Sequence, residues 1–481
     1  MKRILIVLQR DDHFRNYIST SAFSELEDFY ECFFIGASSG NVGLVSGRKE
    51  LEKKESFLGF YPIDKKSKKQ YKNLSNILRW KYRKKSSSFQ FFHNRLFVIV
   101  PRNVGYRNLK IIKNQLKVLR IYLLGSKWIP NKIIDYLYKK IKINWVFFQI
   151  VKDVKPDLII YPAKSSDPEV VYVQKTAQQL GCKSLILTDN WDNPSSKNIY
   201  WKKPDYLTVW GEQSREHAVT IQGMQKEHVF CIGTPRYDQY NGVVVSSPFD
   251  FPYILFCGVF LPFDEISALK LLDKEVSEQK SIYGDRKIVY RPHPGRIIRD
   301  CFDNFIEADY SNIILDPQIA DNYKKKMNFL VKGQRKKFYE INRIDFPDLE
   351  YYPSLLKNAD LVISGLTSMF IESLICGRRT LVIRYDDGFH YTSPHNCYKY
   401  FKHFEGIDDI KALSFCEKKE DLSDCLRFMV LEEKKYPIEE IRESLQYFIY
   451  NDNTPYPKRL KKVVKSIFRS DLGINGTSNS V

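Results

Sequence analysis

One segment of the chain has a histidine between two prolines and two arginines, residue types that suit the binding of a phosphate. Residues 290–296 place His293 between two prolines, with Arg291 and Arg296 on either side, directly after the apolar run 287–290. The prolines restrict the backbone around the histidine to an extended form. Imidazole and guanidinium groups donate hydrogen bonds to anionic oxygens, so Arg291 and His293 are predicted to bind a phosphate. A structural turn with solvated arginines is the alternative.

A hydroxyl-rich turn follows a second apolar run, residues 361–364. Ser364, Thr367 and Ser368 lie where a helix begins, and the unpaired N–H groups there attract an anion. Glu372 comes one helical turn after Ser368 and shares its face, so it could accept hydrogen bonds from a ribose. The alternative is an ordinary Ser/Thr helix cap with an exposed glutamate.

A third polar segment follows the apolar run 184–187 and offers two carboxylates, two amides and a lysine. These side chains are Asp189, Asn190, Asp192, Asn193 and Lys197. A carboxylate can act as a general base, and the other groups can hydrogen-bond a sugar. Asp192 is the first choice for the base and Asp189 the second. An Asx-rich turn is the alternative.

Two further turns complete the set of candidate residues. Arg236 lies in the segment 233–238, which ends the first half of the chain and is expected to face a cleft near the linker. Asp386 and Asp387 precede a glycine, but two carboxylates without a further ligand bind a divalent metal only weakly. A solvated turn is therefore expected there, and no metal or cofactor is predicted.

The elements that position these segments alternate between strands and helices. Apolar strand-like runs precede residue 242, and the pattern restarts at residue 253. Residues 169–180 have helical spacing between two strands, which is typical of a parallel βαβ unit. The fold class is therefore predicted as α/β, with two doubly wound Rossmann-like domains that face a cleft. Ligands bind such sheets beyond the carboxyl ends of the strands.

The predicted domain boundaries follow from this restart and from a linker rich in serine and proline. An N-terminal domain spans residues 1–242, a C-terminal domain spans 250–430, and 431–481 forms C-terminal helices and a polar tail. Residues 61–142 form a basic insertion, rich in aromatic residues, in the first domain.

The charge of the protein is concentrated in that insertion. The chain carries a formal net charge of +19, and residues 61–142 hold 22 basic residues against two acidic ones, Asp64 and Asp135. Bases mixed with aromatic rings fit an anionic membrane surface, with the rings at the interface. The same mixture could stack on single-stranded nucleic acid, although no nucleic-acid motif supports this. A solvated helical insertion whose rings pack inward is the third interpretation.

Composition excludes several other classes of protein. No run approaches the roughly 18 apolar residues of a membrane-spanning helix, and the first strand-like run is too short for a secretory signal. Nine scattered cysteines without a Cys-x-x-Cys motif argue against a disulfide framework or a zinc site. The expected location is cytoplasmic, peripheral to the inner face of the plasma membrane.

The motifs together resemble a known group of enzymes. Residues 189–197, 203–211 and 233–238 look like bacterial surface-polysaccharide glycosyltransferases of the GT-B fold, which make capsule and lipopolysaccharide. His293 with the following proline, and the hydroxyl-rich turn with Glu372, resemble the donor sites of two related groups. These are the CMP-sugar transferases for sialic acid or 3-deoxy-octulosonate, and the teichoic-acid CDP-glycerol transferases. The resemblance covers roughly residues 150–410 and leaves 61–142 unmatched.

One motif departs from the pattern of the sialyltransferases. Their Asp/Glu-Asp/Glu-Gly motif lies in the first domain, whereas residues 386–388 here fall in the second. A catalytic role is therefore not transferred to Asp386 or Asp387.

The resemblance implies a metal-independent glycosyltransferase that moves a sugar from a nucleotide donor, with CMP-linked donors as first candidates. The acceptor would be a lipid-linked or growing bacterial surface polysaccharide. The implied site has three parts. The catalytic residues are Asp192, Asp189 and His293; the donor-binding residues are Arg291, His293, Ser364, Thr367, Ser368, Glu372 and Arg236; and the acceptor-binding residues are Asn190, Asn193 and Lys197.

Three other functions are compatible with the sequence. A CDP-polyol phosphotransferase for glycerol or ribitol would share the architecture. A sugar-nucleotide 2-epimerase would need no membrane contact, so the basic segment counts against it. A non-enzymatic basic peripheral membrane protein would not need two phosphate-binding turns.

Overall fold

The computed structural model of the protein describes residues 1–38, 46–97, 109–240, 246–293, 308–320, 351–432 and 436–470. Within these residues the strands form two sheets in which every neighbouring pair is parallel. Parallel sheets are covered on both faces, so their strands are continuously apolar. The strands Leu158–Ala163 and Tyr253–Cys257 are buried at every residue.

The chain folds into two compact units, each built around one sheet. The first unit contains the described residues within 1–78, 128–238 and 446–470; the second contains those within 79–127 and 239–445. Two Rossmann-like units were predicted, and the two parallel sheets confirm this fold class.

The first unit has the sheet order β3-β2-β1-β4-β5-β6-β7. Its strands are β1 (Arg3–Leu8), β2 (Glu31–Ser38), β3 (Phe57–Pro62), β4 (Leu158–Ala163), β5 (Lys183–Thr188), β6 (Tyr206–Val209) and β7 (Val229–Cys231). The helices before β7 are α1 (Asp11–His13), α2 (Ser24–Glu27), α3 (Ser46–Glu52), α4 (Lys65–Lys81), α5 (Ser88–Phe97), α6 (Leu109–Leu124), α7 (Asn131–Lys139), α8 (Trp145–Val154), α9 (Glu169–Leu180), α10 (Asn193–Ser196) and α11 (Glu212–Thr220). Of these, α5 and α6 belong to the second unit, and α4 begins in the first unit and ends in the second.

The second unit has the sheet order β10-β9-β8-β11-β12-β13. Its strands are β8 (Tyr253–Cys257), β9 (Lys287–Arg291), β10 (Ile313–Leu315), β11 (Leu361–Ser364), β12 (Thr380–Ile383) and β13 (Leu413–Cys416). The remaining α-helices in the described residues are α12 (Glu265–Glu278), α13 (Lys280–Tyr283), α14 (Tyr351–Lys357), α15 (Met369–Ile375), α16 (Pro394–Tyr400), α17 (Leu422–Leu431), α18 (Ile438–Leu445) and α19 (Tyr456–Ser470). Only α19 among these belongs to the first unit.

The predicted βαβ unit is present with the expected boundaries. The helix α9 begins at Glu169 and ends at Leu180, between the parallel strands β4 and β5. Gly181 ends the helix with a φ of 71°, the left-handed conformation that glycine adopts without a Cβ clash.

Both faces of the first sheet carry a hydrophobic core. Alternate residues of β1 point to opposite faces, so Ile4 and Ile6 lie in one core while Leu5 and Val7 lie in the other. The C-terminal helix α19 packs on the face of Ile4 and Ile6, and α8 and α9 pack on the opposite face.

The C-terminal segment contacts the first unit closely through its backbone. Tyr450 N donates to the carbonyl of Trp210 at 2.6 Å, and Gln213 N donates to the carbonyl of Tyr447 at 2.8 Å. A Cβ on Gly211 would lie 2.5 Å from the backbone carbon of Phe448, so this approach requires a glycine. Of the predicted C-terminal segment 431–481, the described residues up to Leu445 belong to the second unit and residues 446–470 to the first.

The basic segment is also divided. Residues 61–142 were expected to insert into the first domain, but the described residues within 79–127 belong to the second unit. There, Lys402 N donates to Ser87 Oγ at 3.3 Å, and the rings of Phe91 and Phe401 lie 5.9 Å apart. Among the described helices, none combines the length and the apolar character that crossing a bilayer requires.

An ion pair between the buried Arg459 and the partly exposed Asp238 fixes α19 to the first unit, and its loss gives a testable prediction. Arg459 donates to Asp238 Oδ1 at 2.9 Å and to the carbonyl of Tyr450 at 3.0 Å. We expect Arg459→Ala to lower the free energy of unfolding, measured in urea, by about 3–5 kcal/mol, because Asp238 loses its partner. Lys462→Ala, at an exposed position on the same helix, is the matched control and should change it by less than about 0.5 kcal/mol. Equal effects of the two variants would contradict the prediction.

Candidate functional site

Two of the predicted phosphate-binding segments lie on either side of one strand in the second unit. In the strand register, Cys257 of β8 pairs with Arg291 of β9 on one side and with Ser364 of β11 on the other. Neighbouring strands are about 4.8 Å apart, so the ends of β9 and β11 lie about 10 Å from each other. A single nucleoside monophosphate or diphosphate could therefore contact the residues at both strand ends.

His293 is held at this edge by a close approach of two backbones. A Cβ on Gly258 would lie 3.0 Å from the backbone N of His293 and 3.0 Å from Pro292 Cα. The ring of Phe260 meets the imidazole edge-on, with centroids 5.3 Å apart. His293 is partly exposed, which leaves the imidazole accessible to a ligand. Residues 294–296, including Arg296, lie outside the described residues.

Arg291 differs from His293 because its guanidinium is buried and already paired. It forms an ion pair with Asp316, donates to Gln318 Oε1 at 2.8 Å, and lies over the ring of Tyr352 at 4.5 Å. This arrangement fixes the end of β9 beside β10. The predicted contact of Arg291 with a donor phosphate stays a prediction, and the geometry gives the side chain a structural role at the same strand end.

The hydroxyl-rich turn brings Ser368 and Glu372 together as their spacing predicts. Ser368 Oγ donates to Glu372 Oε1 at 3.3 Å, and Tyr240 OH donates to Glu372 Oε2 at 2.8 Å. Glu372 is buried, so the alternative of an exposed glutamate behind a simple helix cap is wrong. Ser364 is also buried and donates to the carbonyl of Gly365 at 2.7 Å, while Thr367 is partly exposed.

A buried glutamate organises the loop between β8 and α12, and sequence reasoning missed it. Glu265 Oε1 accepts from the backbone N of Val259 at 3.0 Å, and Glu265 Oε2 accepts from Tyr290 OH at 2.6 Å. The carboxylate thus joins the ends of β8 and β9. No local sequence signal distinguishes it from an ordinary glutamate in the first turn of a helix.

The first unit brings together a second group of charged side chains at the carboxyl ends of β1, β4 and β5. Arg10 forms ion pairs with Asp12 at 2.8 Å, with Asp167 at 2.6 Å, and with Asp189. His13 Nε2 lies 3.3 Å from Asp189 Oδ2. Of this charge cluster, sequence analysis predicted only Asp189. The signal for the rest is the charged run at residues 10–13 directly after the first strand.

The neighbours of Asp189 determine its protonation. Burial alone would raise the pKa of this carboxyl, but the charges of Arg10, His13 and Lys164 outweigh burial and hold the pKa well below its usual range. The same balance, again dominated by Arg10 among the charges, lowers the pKa of Asp12. Asp189 is therefore a stable anion and a weak proton acceptor.

The charge cluster also contains three side chains that could ligate a metal ion. Asp12, His13 and Asp189 each offer a ligand atom, and these atoms lie within 4.8 Å of one another. The guanidinium of Arg10, however, already pairs with both carboxylates and would repel a cation. The arrangement fits an ion-pair cluster better than a metal centre.

Asp192 has a different environment from Asp189. It lies at the start of α10, accepts a hydrogen bond from Ser196 Oγ and pairs with Lys197 Nζ at 2.7 Å. The structure thus joins two of the predicted site residues, Asp192 and Lys197. Asn190 Oδ1 accepts from the backbone N of Trp191 at 3.0 Å, as in an Asx-rich turn, and Asn193 is buried.

A buried polar network connects the loop that carries Asp192 to the helix α4. Asn198 Nδ2 donates to Ser75 Oγ of α4 at 3.0 Å, and the backbone N of Asn198 donates to Ser165 Oγ at 2.9 Å. Tyr71 OH, also on α4, donates to the carbonyl of Ser165. The start of the basic segment is therefore fixed to the loop that carries Asp192.

In the two other predicted turns, the side chains of Arg236 and Asp387 contact neighbouring protein groups. The guanidinium of Arg236 lies 5.4 Å from the ring centroid of Tyr237 in the first unit, so its predicted contact with the donor stays a prediction. Asp387 is buried rather than solvated. It accepts from His390 Nδ1 at 2.7 Å and from the backbone N of Asp264 at 2.9 Å. These donors occupy the oxygens that a metal would need.

Comparisons with known proteins identify the fold. No protein-family model and no curated protein matches the chain in sequence. Solved structures do match. A putative UDP-N-acetylglucosamine 2-epimerase from Listeria monocytogenes has a TM-score of 0.53 at 11% identity, covering 98% of each chain. The S. aureus MnaA–UDP structure has a TM-score of 0.52 at 11% sequence identity, and the match covers 100% of each chain. The UDP-GlcNAc 2-epimerase from Methanocaldococcus jannaschii has a TM-score of 0.50 at 12% sequence identity, and the match covers 96% of this chain and 99% of the other.

The likeness to these three structures is one of fold. It confirms that the chain has the GT-B architecture of two Rossmann-like domains, as the sequence predicted. The three proteins are named for UDP-GlcNAc or contain UDP, and none of the three is named as a CMP-sugar transferase.

The charge cluster gives a prediction for stability and its pH dependence. Asp189→Asn should lower the free energy of unfolding at pH 7 by about 3–5 kcal/mol, because Arg10 loses a buried partner. A carboxyl with a lowered pKa stabilises the fold above its unfolded pKa of about 3.8, and this stability is lost as the pH falls toward the folded pKa. The difference between wild type and variant, followed by urea unfolding, should therefore be constant above about pH 5 and shrink below pH 4.

The control for this measurement is Asp153→Asn, which changes an exposed carboxylate on α8 of the same unit. It should alter the free energy of unfolding by less than about 0.5 kcal/mol. A difference between wild type and Asp189→Asn that stays unchanged down to pH 3 would show that the carboxylate charge is not what stabilises the unit.

Proposed function

We propose that the protein is a glycosyltransferase that moves a sugar from a nucleotide donor to a lipid-linked or growing bacterial surface polysaccharide. The observation that carries this proposal is the pair of polar strand ends on either side of β8, one with His293 and the other with Ser364 to Glu372. In a sheet of this kind, ligands bind beyond the carboxyl ends of the strands. The GT-B fold supports a nucleotide-sugar ligand.

In this proposal the second unit binds the donor. The imidazole of His293 donates to a phosphate oxygen of the leaving nucleotide and stabilises the charge that develops there, as preorganised donors do. Thr367 and Ser368 contribute hydroxyls, and the buried carboxylate of Glu372 accepts from the ribose. CMP-linked sugars are the first donors to test, because the hydroxyl-rich turn and His293 resemble the sites of CMP-sugar transferases.

The first unit supplies the base and the acceptor contacts. A general base must be able to take a proton at neutral pH, and the charge cluster holds Asp189 as a stable anion. Asp192 lies outside the charge cluster, where Lys197 pairs with it and Ser196 donates to it, so we propose Asp192 as the base. Asn190, Asn193 and Lys197 are proposed to contact the acceptor sugar.

The basic segment is proposed to hold the enzyme at the inner, anionic face of the plasma membrane, where a lipid-linked acceptor would lie. Residues 65–134 contain no aspartate or glutamate, so their positive charge is not neutralised within the segment. Anionic leaflets attract such segments at roughly 1 kcal/mol per base near the surface. Because α4 supports the loop with Asp192, binding there would also bring the acceptor near the proposed base.

A sugar-nucleotide 2-epimerase is the second candidate function. Its support is the likeness of the whole chain to UDP-GlcNAc 2-epimerases. An epimerase acts on the nucleotide sugar alone and needs no acceptor, which separates the two candidates experimentally. A CDP-polyol phosphotransferase would differ from both because its donor is a CDP-linked polyol.

The proposal is tested in two stages. A panel of CMP-, UDP- and CDP-linked donors is first screened for thermal stabilisation, because a ligand that binds only the folded state raises the melting temperature. Each stabilising donor is then incubated with and without membrane extract as acceptor. Release of nucleotide that depends on the extract supports glycosyl transfer. Conversion of a UDP-sugar to its epimer without any acceptor would support the epimerase, and polyol phosphate transfer would support the phosphotransferase.

His293→Ala tests donor chemistry. The loss of one preorganised donor should lower turnover by about two to three orders of magnitude, while the fold persists because the side chain lies on a partly exposed strand end. The measurement is nucleotide release under single turnover, with the melting temperature recorded beside it. His395→Ala, at an exposed histidine of the same unit, is the control and should retain full turnover. Turnover close to wild type in His293→Ala would remove the imidazole from the mechanism.

Asp192→Asn tests the base. The amide keeps the size and most hydrogen bonds of the carboxylate but accepts no proton, so an inverting enzyme should lose turnover by about two to four orders of magnitude and still bind the donor. Donor binding is followed by thermal stabilisation and turnover by nucleotide release. If Asp192→Asn is active and Asp189→Asn is folded but inactive, the two roles are reversed.

A further inference from the structure

The helix α6 exposes a continuous stripe of aliphatic side chains. Ile112, Leu116, Leu119 and Leu123 follow one another at intervals of four, three and four residues and therefore share one face. Their exposed fractions are 45%, 61%, 53% and 69%. At 1.5 Å per residue the stripe is about 17 Å long. Contiguous exposed apolar surface of this kind marks an interaction site in a folded protein.

The opposite face of α6 already has its packing partners. Val118 and Ile121 are buried against Phe89, in a small core that also includes Trp80 and Phe92. The rings of Trp80 and Tyr122 stack with centroids 3.7 Å apart. Phe89 thus packs inward, as one of the three sequence interpretations expects for the rings, whereas Tyr122 stays exposed. The aliphatic stripe is an additional face, which the inward packing of the helix does not explain.

Basic side chains lie along one side of the stripe. With about 100° per residue, Lys113, Lys117 and Arg120 fall between the stripe and the buried face of α6. Among the described residues, no acidic side chain forms an ion pair with any of the three. The face therefore combines aliphatic groups with uncompensated positive charge.

We propose that α6 is the part of the basic segment that enters an anionic lipid surface, with its stripe in the acyl region and its bases at the headgroups. The inference rests on the membrane contact of the proposed function and names the face that makes it. Amphipathic helices with apolar side chains on one face and Lys or Arg beside it bind anionic membranes in this way.

Two other occupants of this face fit less well. A second copy of the chain would place Lys113, Lys117 and Arg120 against the same positive charges, because a two-fold interface pairs a surface with itself. Single-stranded nucleic acid binds through aromatic rings on which bases stack, and the stripe is aliphatic. An anionic bilayer satisfies both the charge and the aliphatic character.

The test compares matched variants in vesicle co-sedimentation with the full-length protein. Vesicles contain either phosphatidylcholine alone or phosphatidylcholine with 30 mol% phosphatidylglycerol, about the anionic content that makes a leaflet attract bases. The first variant combines Leu116→Ser, Leu119→Ser and Leu123→Ser. The control combines Phe428→Ser and Leu431→Ser on α17, which are 65% and 59% exposed in the same unit. A third variant, Lys113→Gln with Lys117→Gln and Arg120→Gln, removes the charge and keeps the stripe.

The stripe variant should bind anionic vesicles about a hundredfold more weakly than wild type, because three aliphatic side chains no longer enter the lipid. The charge variant should bind anionic vesicles about fivefold more weakly per base removed, and its binding should depend less steeply on salt than that of wild type. The α17 control should bind as wild type does. Circular dichroism and melting temperatures check folding, and the single variant Leu116→Ser serves if the triple variant does not fold.

Several outcomes would overturn the proposal. Wild-type protein that binds neither kind of vesicle, or a stripe variant that binds anionic vesicles like wild type, shows that α6 does not enter lipid. A wild-type dimer that becomes a monomer in the stripe variant, without vesicle binding, shows an interface between two copies. The assay uses no donor or acceptor sugar, so its failure leaves glycosyl transfer untouched. Vesicle binding by a protein that transfers no sugar would count against the proposed enzyme alone.

Discussion

Every residue of β4 and β8 is buried, and this two-sided burial of the parallel strands determines where polar chemistry can lie. A buried polar group without a partner costs about 1–3 kcal/mol, so strand interiors remain apolar. All strands of a parallel sheet run in the same direction, and their carboxyl ends therefore meet at one edge. Polar residues at the strand ends or just after them gather at that edge, as Ser364 at the end of β11 and His293 after β9 do on either side of β8.

The same constraint explains why two carboxylates three residues apart differ in their chemistry. Asp189 directly follows β5 and lies beside the residues that follow β1 and β4, so it contacts Arg10, His13 and Lys164. Asp192 lies one turn further along, where Ser196 donates a hydrogen bond to it and Lys197 forms an ion pair with it. Environment, not residue type, assigns such pairs to different roles. The first carboxylate stabilises the sheet edge, and the second is left for the proposed proton transfer.

Local sequence patterns predict strands such as β5, β9 and β11, the helix α9 and the pairing of Ser368 with Glu372, because periodicity and helical spacing are properties of neighbouring residues. The charge cluster escapes such patterns, since Arg10 and Asp189 are 179 positions apart in the chain. For the same reason the sequence shows two arginines beside His293 but not that Arg291 pairs with Asp316. The type of a residue predicts which groups it can bind, whereas the fold determines which of those groups lie in contact with it.

The basic segment shows a further limit of composition as evidence. Aromatic rings among lysines favour a membrane interface, yet Trp80, Phe89 and Tyr122 pack against one another. A short segment with few residues needs large side chains to form any core, and rings bury more apolar area than leucine does. Trp80 and Phe89 therefore contribute to a small core, whereas Tyr122, Trp128 and Tyr136 of the same segment are exposed, as are the aliphatic residues of the α6 stripe. Helical periodicity reveals both apolar faces of α6, but only the packing of its neighbours shows which face is left for a partner.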